Sequence, residues 1–206
     1  MKKLMMMMVM AAFCLTTNAQ NTQHENGSFT LQPMVGVGFG ALGGHYYTTG
    51  STKKVDDKMR VGLVAGVEGE YFVSDWFTAS AGVLYAMQGW RVNDNGSKWN
   101  MNLDFINIPV LANFYVTEGL ALKVGVQPGF LVSAKADGSS SAGKDYAKKF
   151  SLALPVGVSY EFENGLTFDF RANFALTKIN KIDIPDVDDD TRSNLLQLTV
   201  GYKFEL

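Results

Sequence analysis

The chain has 206 residues, of which 18 are Lys or Arg and 20 are Asp or Glu, giving a net charge of −2 at pH 7. With this near balance, no dense basic tract and no aromatic-basic module, a nucleic-acid partner has no support. Its 21 glycines and aromatic content of 12%, against only 5 prolines, suit long strands rather than disorder, and its length suits one domain.

The first residues set the compartment. Lys2 and Lys3 form a basic start, residues 4–15 are apolar without interruption, and Thr17 and Ala19 occupy the −3 and −1 positions of a cut before Gln20. This pattern predicts a cleaved signal peptide over 1–19. An apolar core of about a dozen residues falls short of the roughly twenty that a membrane-spanning helix needs. The single cysteine, Cys14, lies in that core behind the bulky Phe13, so lipidation is not expected. The mature chain then has no thiol, which excludes disulfides, Cys-ligated zinc and thiol catalysis. A tail over 20–27 leads into a barrel predicted over 28–206.

From there the chain alternates with a period of two, the spacing of strands whose faces meet unlike surroundings. The first segment sets Phe29, Leu31, Val35, Val37 and Phe39 against Thr30, Gln32, Gly36, Gly38 and Gly40. The second sets Met59, Val61, Leu63, Ala65, Val67 and Tyr71 against Arg60, Gly62, Gly66, Glu68 and Glu70, and the third sets Phe77, Ala79, Ala81, Val83, Tyr85 and Met87 against Thr78, Ser80, Gly82 and Gln88. The fourth is less regular. Met101, Leu103 and Phe105 share one parity, while Ile106, Ile108, Val110, Ala112, Phe114 and Val116 take the other, which predicts a β-bulge near Phe105 and Ile106.

The fifth segment opposes Leu120, Leu122, Val124, Val126, Phe130 and Val132 to Lys123, Gly125, Gln127 and Gly129. The sixth opposes Phe150, Leu152, Leu154, Val156, Val158, Tyr160 and Phe162 to Ser151, Gly157, Ser159 and Glu161. In the seventh, Leu166, Phe168, Phe170, Ala172, Phe174 and Leu176 oppose Thr167, Asp169, Arg171 and Asn173. In the eighth, Leu196, Leu198, Val200, Tyr202, Phe204 and Leu206 oppose Gln197, Thr199, Gly201, Lys203 and Glu205.

The connections carry independent information. Those after the second, fourth and sixth segments are tight: Ser74-Asp75, Thr117-Glu118-Gly119 and Glu163-Asn164-Gly165. Those over 41–58, 91–100, 134–149 and 177–193 read as long and polar. Short and long connections alternate, as periplasmic turns and outer loops do in an eight-stranded antiparallel up-and-down transmembrane barrel with both chain ends in the periplasm. Aromatics gather toward the short turns, at Tyr71, Phe72, Trp76, Phe77, Tyr115, Tyr160, Phe162, Tyr202 and Phe204, and toward the loop end, at Phe39, Tyr85, Trp90, Phe105, Phe130 and Phe174. They are expected at the lipid interface. Alternation by itself leaves a soluble lipocalin-like barrel open, with its apolar face turned toward a ligand cavity.

The segments Phe105-Ile106-Asn107-Ile108-Pro109-Val110-Leu111, Val124-Gly125-Val126-Gln127-Pro128-Gly129-Phe130 and Tyr160-Glu161-Phe162-Glu163-Asn164-Gly165-Leu166 stand out, as does the closing Val200-Gly201-Tyr202-Lys203-Phe204. Together they resemble the PorT-like outer-membrane β-barrel family of Bacteroidota-type bacteria. Gln127, where a glycine is expected, and the stretch after Arg171, which lacks a tyrosine, depart from the family pattern. The resemblance implies an outer-membrane barrel, with barrel-insertion machinery and outer-membrane lipid as partners. Assembly or secretion accessory work is known for some members, and carrying it over would rest on fold analogy.

Eight strands leave an interior that side chains fill. Arg60, Glu68, Glu70, Lys123, Glu161, Asp169, Arg171 and Lys203 are expected to line it, as a structural ion-pair network or else as a narrow small-solute channel or proton path. Asp183, Asp186, Asp188, Asp189 and Asp190 offer oxygen ligands for calcium but lack EF-hand spacing, so a solvated loop is expected and no metal is assigned. Gly36, Gly38 and Gly40 read as small inward residues rather than a phosphate loop. A lipid hydrolase would need His45 with a loop serine such as Ser51, and no carboxylate orienter is evident. His24 falls in the tail. The reading is therefore a non-enzymatic barrel without cofactor, whose outer loops, such as His45-Tyr46-Tyr47-Thr48-Thr49, meet a protein or glycan partner.

Overall fold

The computed structural model describes residues 24–43, 57–94, 97–136, 148–178 and 192–206. The leader, the start of the tail and parts of the long connections, including His45, Ser51 and the acidic run 183–190, lie outside the described residues. Ten strand segments follow one another: β1 Phe29–Gly43, β2 Asp57–Ser74, β3 Phe77–Asp94, β4 Ser97–Asn107, β5 Val110–Thr117, β6 Leu120–Ala136, β7 Phe150–Glu161, β8 Leu166–Ala175, β9 Arg192–Tyr202 and β10 Phe204–Glu205. Neighbouring staves pair antiparallel. β1 closes the circle against β9, from Met34↔Gly201 to Gly43↔Arg192, and against β10. β4 with β5, and β9 with β10, each make one stave, so the architecture is a closed eight-stranded antiparallel barrel.

Tight turns at one end depend on backbone freedom at two glycines. Gly119 (φ 79°) and Gly165 (φ 81°) adopt left-handed conformations that L side chains avoid. The other end differs from the sequence expectation in one respect. Segment 91–100, read as a loop, is mostly paired hairpin, since β3 and β4 stay in register up to Asp94↔Ser97. Backbone pairing extends a hairpin without help from an apolar face, so a polar strand leaves no alternation to read.

The fourth stave brings a second correction. It is interrupted at Ile108 and Pro109, where proline removes a donor, yet Ile108 N donates to Pro128 O (2.8 Å) and Pro109 O accepts from Gly82 N (3.0 Å). Its alternation never reverses: Leu103, Phe105, Asn107, Leu111 and Asn113 are all buried inside. The register shift sits opposite, on β6. Asp104 pairs with Ser133 and Phe105 with Leu131, leaving Val132 as the extra residue. Leu103 and Phe105 therefore pack in the barrel interior with Ala134, Met101 and Leu131, not against lipid.

The two faces of the wall are inverted relative to a water-soluble protein. Val35, Val61, Leu122, Phe170 and Leu198 are exposed, while Glu68, Glu70, Lys123, Asp169 and Arg171 are buried. Val61 is 62% exposed and Arg171 0%. A soluble lipocalin-like barrel requires the opposite arrangement, and the inversion rules it out. Lipid imposes this arrangement, because Arg or Lys on the lipid face costs about 2–4 kcal/mol at the bilayer midplane. Small inward residues on β1 let the staves close, since a Cβ on Gly36 would stand 2.0 Å from Leu198 O and one on Gly40 2.7 Å from Gly89 O.

Candidate functional site: the lumen and its two mouths

Four of the seven lumen charges come in pairs two residues apart, which a strand presents on one face. Glu68 and Glu70 come from β2, Asp169 and Arg171 from β8, with Lys123 on β6, Glu161 on β7 and Lys203 after β9. They form two tiers. In the inner tier Lys123 bridges Glu68 (3.2 Å) and Asp169 (2.9 Å). Arg171 bonds the same two, with Nη2 2.7 Å from Glu68 and Nε 2.7 Å from Asp169. In the tier nearer the short turns, Lys203 Nζ lies 2.8 Å from both Glu70 and Glu161 and donates to Tyr115 Oη at 2.7 Å.

Neutral side chains join the tiers. Asn113 Nδ2 reaches Glu70 Oε1 (3.2 Å), Thr78 Oγ1 (3.0 Å) and Ser80 Oγ (3.1 Å). Thr78 donates to Glu70, and Ser80 donates to Glu68 at 3.1 Å. Below them the tail closes the mouth. Gly27 N donates to Phe72 O (2.7 Å), Phe72 N donates to Ser28 O (3.0 Å), and the His24 ring lies 4.5 Å from that of Phe72. His24 Nε2 is 2.9 Å from Glu161 Oε1. Four carboxylates, Glu68, Glu70, Glu161 and Asp169, thus face three cations, Lys123, Arg171 and Lys203, and His24 shares Glu161 with Lys203.

Seven of the eight residues expected in the lumen network meet in this one cluster. Arg60 does not join it and instead donates from Nη1 to Gln88 O, toward the loop end. Above the charges the interior turns apolar, with Val64, Ala86 and Leu195 in one cluster and Leu103, Phe105 and Ala134 in another. A cavity of about 10 Å³ beside them is lined by Gln88, Asn107, Gln127, Asn173 and Ser193, among others. It has room for one water. Gln127 Oε1 and Asn173 Oδ1 are buried without protein partners, as acceptors for such a water.

The interface aromatics divide. Tyr71 and Trp76 are exposed on the lipid side. Trp76, Phe77 and Phe114 cluster with centroids 5.4–6.2 Å apart, and Tyr160–Phe162 and Tyr202–Phe204 pair at 4.9 and 4.7 Å. Tyr115 and Phe72 are corrections. Both turn into the lumen, Tyr115 with its hydroxyl 3.0 Å from Glu70 and Phe72 under the Lys203 ammonium, 5.5 Å from its ring. Their own parity carried the signal, since Phe114 and Val116 flank Tyr115 on the outward face and Tyr71 and Val73 flank Phe72. His24, Thr78, Ser80 and Asn113 are network members that charge alone did not mark.

Among the described residues no three His, Cys, Asp or Glu side chains converge as a metal site. The arrangement neutralises charge and fills space.

A family profile described as outer membrane protein beta-barrel domain matches residues 18–181. No curated protein matches the sequence. Among solved structures, the outer membrane protein OprG of Pseudomonas aeruginosa is similar in fold at 15% identity, covering 89% of this chain and 98% of its own, with a TM-score of 0.51. Ail of Yersinia pestis (16% identity, 87% of this chain, 100% of its own, TM-score 0.49) and Neisserial surface protein A (18% identity, 85% and 97%, TM-score 0.49) are also similar. With the profile spanning most of its length, this chain belongs to the outer-membrane β-barrel domain family and is an outer-membrane protein.

Proposed function

We propose that this protein is a non-conducting, non-enzymatic barrel that acts through the surface it presents at the long-connection end, outside the cell. What carries this reading is the closed interior. Seven charged side chains are committed to one another, and an apolar layer lies between them and the loop end. Ions crossing such a lumen would have to break buried pairs, and His24 is held by Glu161 instead of attending a nucleophile. Function then falls to the segments outside the wall, where binding residues on a rigid scaffold concentrate. The PorT-like resemblance supplies a setting for it, accessory work in envelope assembly or secretion.

The test is conductance of the refolded barrel in a planar bilayer, set beside binding and envelope phenotypes after replacing segments 44–56, 137–147 and 179–191 with short turns. The expected outcome is no single-channel current and a lost phenotype with the barrel intact by gel mobility. Steady current that changes with Lys123→Gln would establish a channel instead.

A further inference from the structure

Among the described residues, exposed charge is divided along the barrel axis; in sequence, 179–191, which follows Lys178, adds Asp183, Asp186, Asp188, Asp189 and Asp190 to the long-connection end. At the short-turn end the exposed ionic side chains are Glu25, Asp75, Glu118, Glu163 and Glu205, and among the described residues no Lys or Arg is exposed there. At the other end Lys135, Lys148, Lys149 and Lys178 are exposed. In sequence, 135–149 holds Lys135, Lys144, Lys148 and Lys149 against Asp137 and Asp145.

Register gathers these lysines above one apolar strip. Phe130 pairs with Phe150, their rings edge-on at 5.7 Å, and both are exposed on the outer wall. Lys149 is next to Phe150 in the chain, and its carbonyl accepts from Leu131 N at 2.8 Å. On the other side Ala153↔Ala175 pairing continues upward, with Leu176 N donating to Leu152 O (2.8 Å) and Leu152 N to Thr177 Oγ1 (3.0 Å), which brings Lys178 beside Phe150. The extra residue at Val132 turns Lys135 outward on β6. Phe130, Val132, Phe150, Phe174 and Leu176 thus form an exposed apolar strip, and the ammonium groups belong to residues just beyond it.

From this geometry we infer that the β6–β7–β8 rim is a docking surface for a phosphorylated glycolipid of the outer leaflet. Its acyl chains lie on the phenylalanine strip, and its phosphate meets Lys135, Lys148 and Lys149. Lysine stems lie along apolar surface while the charged heads stay at headgroup level, where phosphate oxygens accept from them. The acidic short-turn rim repels the same group, so among the described residues complementarity to it lies at the lysine rim of β6 and β7. The inference rests on the proposed orientation, which puts the long-connection end in the leaflet built of such lipid.

The full barrel is reconstituted in phosphatidylcholine bilayers doped with lipid A, dephosphorylated lipid A or phosphatidylglycerol, and retained lipid is read by native mass spectrometry after extraction. Lipid A is expected to be retained over the other two. Lys148→Gln with Lys149→Gln should lower its retention by about five-fold per lysine. The charge-matched Lys53→Gln with Lys54→Gln, in the segment between β1 and β2, should leave retention unchanged. Equal retention of the dephosphorylated lipid, equal retention of phosphatidylglycerol, or equal loss in the charge-matched pair would overturn the site. Orientation is read separately by labelling Ser140→Cys on intact cells with an impermeant maleimide. Retention without labelling overturns the orientation, and labelling without retention overturns the docking surface.

Discussion

The two halves of the lumen are held by different physics. Near the short turns, buried charges are satisfied by each other, from His24 and Lys203 up to Arg171. Near the loop end, Leu103, Phe105, Val64 and Leu195 form apolar clusters in the same cylinder, beside the neutral Gln88, Asn107, Gln127 and Asn173. A wall with lipid outside thus tolerates either filling, and the difference lies in how each half fails. In the charged half, deleting one partner leaves others stranded; in the apolar half, deletion leaves only a void.

Arg171→Met is the strongest break of that comparison. It removes the bidentate partner of Asp169 and the second cation of Glu68, leaving Lys123 alone between two buried carboxylates. Breaking a buried pair in this way costs about 3–5 kcal/mol. Urea unfolding of the barrel in lipid vesicles, followed by gel mobility of unboiled samples, should show a loss in that range. A loss near zero would mean that water reaches the inner tier.

Leu103→Ala probes the other half. Leu103 is fully buried against Phe105 and Ala134, so its truncation costs about 2–5 kcal/mol, set by how far the cavity collapses. Adjacent polar space lined by Gln127 and Asn173 offers water a way into the void, which places the expected value at the low end. The same unfolding assay checks it. A cost above that of Arg171→Met would invert the ranking of the halves.

The same contrast explains what could be read from the sequence. Where the lumen is charged, apolar and polar residues alternate strictly, and β2, β7, β8 and β9 were legible with their faces correct. Where it is apolar, both faces of a strand carry hydrophobic side chains. Leu103 and Phe105 then mimicked a lipid-facing parity and implied a reversal in β4, while the real extra residue, Val132, was hidden in β6. Pairing beyond the bilayer left no trace either, so 91–100 read as a loop. Within the site, ionised residues identified themselves because they have no place on a lipid face. Tyr115 did not, since an amphipathic ring near a short turn fits the lipid interface as well as the lumen.

That ambiguity supplies the finest test. Tyr115→Phe keeps the ring and deletes a hydroxyl that stands between Lys203 Nζ at 2.7 Å and Glu70 Oε1 at 3.0 Å. Both partners keep other bonds, Lys203 to Glu161 and Glu70 to Thr78 and Asn113, so the loss should be about 0.5–1.5 kcal/mol. Tyr160→Phe is the matched control, because Tyr160 sits at the same end but is exposed on the outer wall against Phe162. Its removal should register as weaker interfacial anchoring without loss of unfolding free energy in detergent, where no headgroup layer remains. If the two variants behave alike in detergent, Tyr115 belongs to the girdle after all, and Lys203 is held by carboxylates alone.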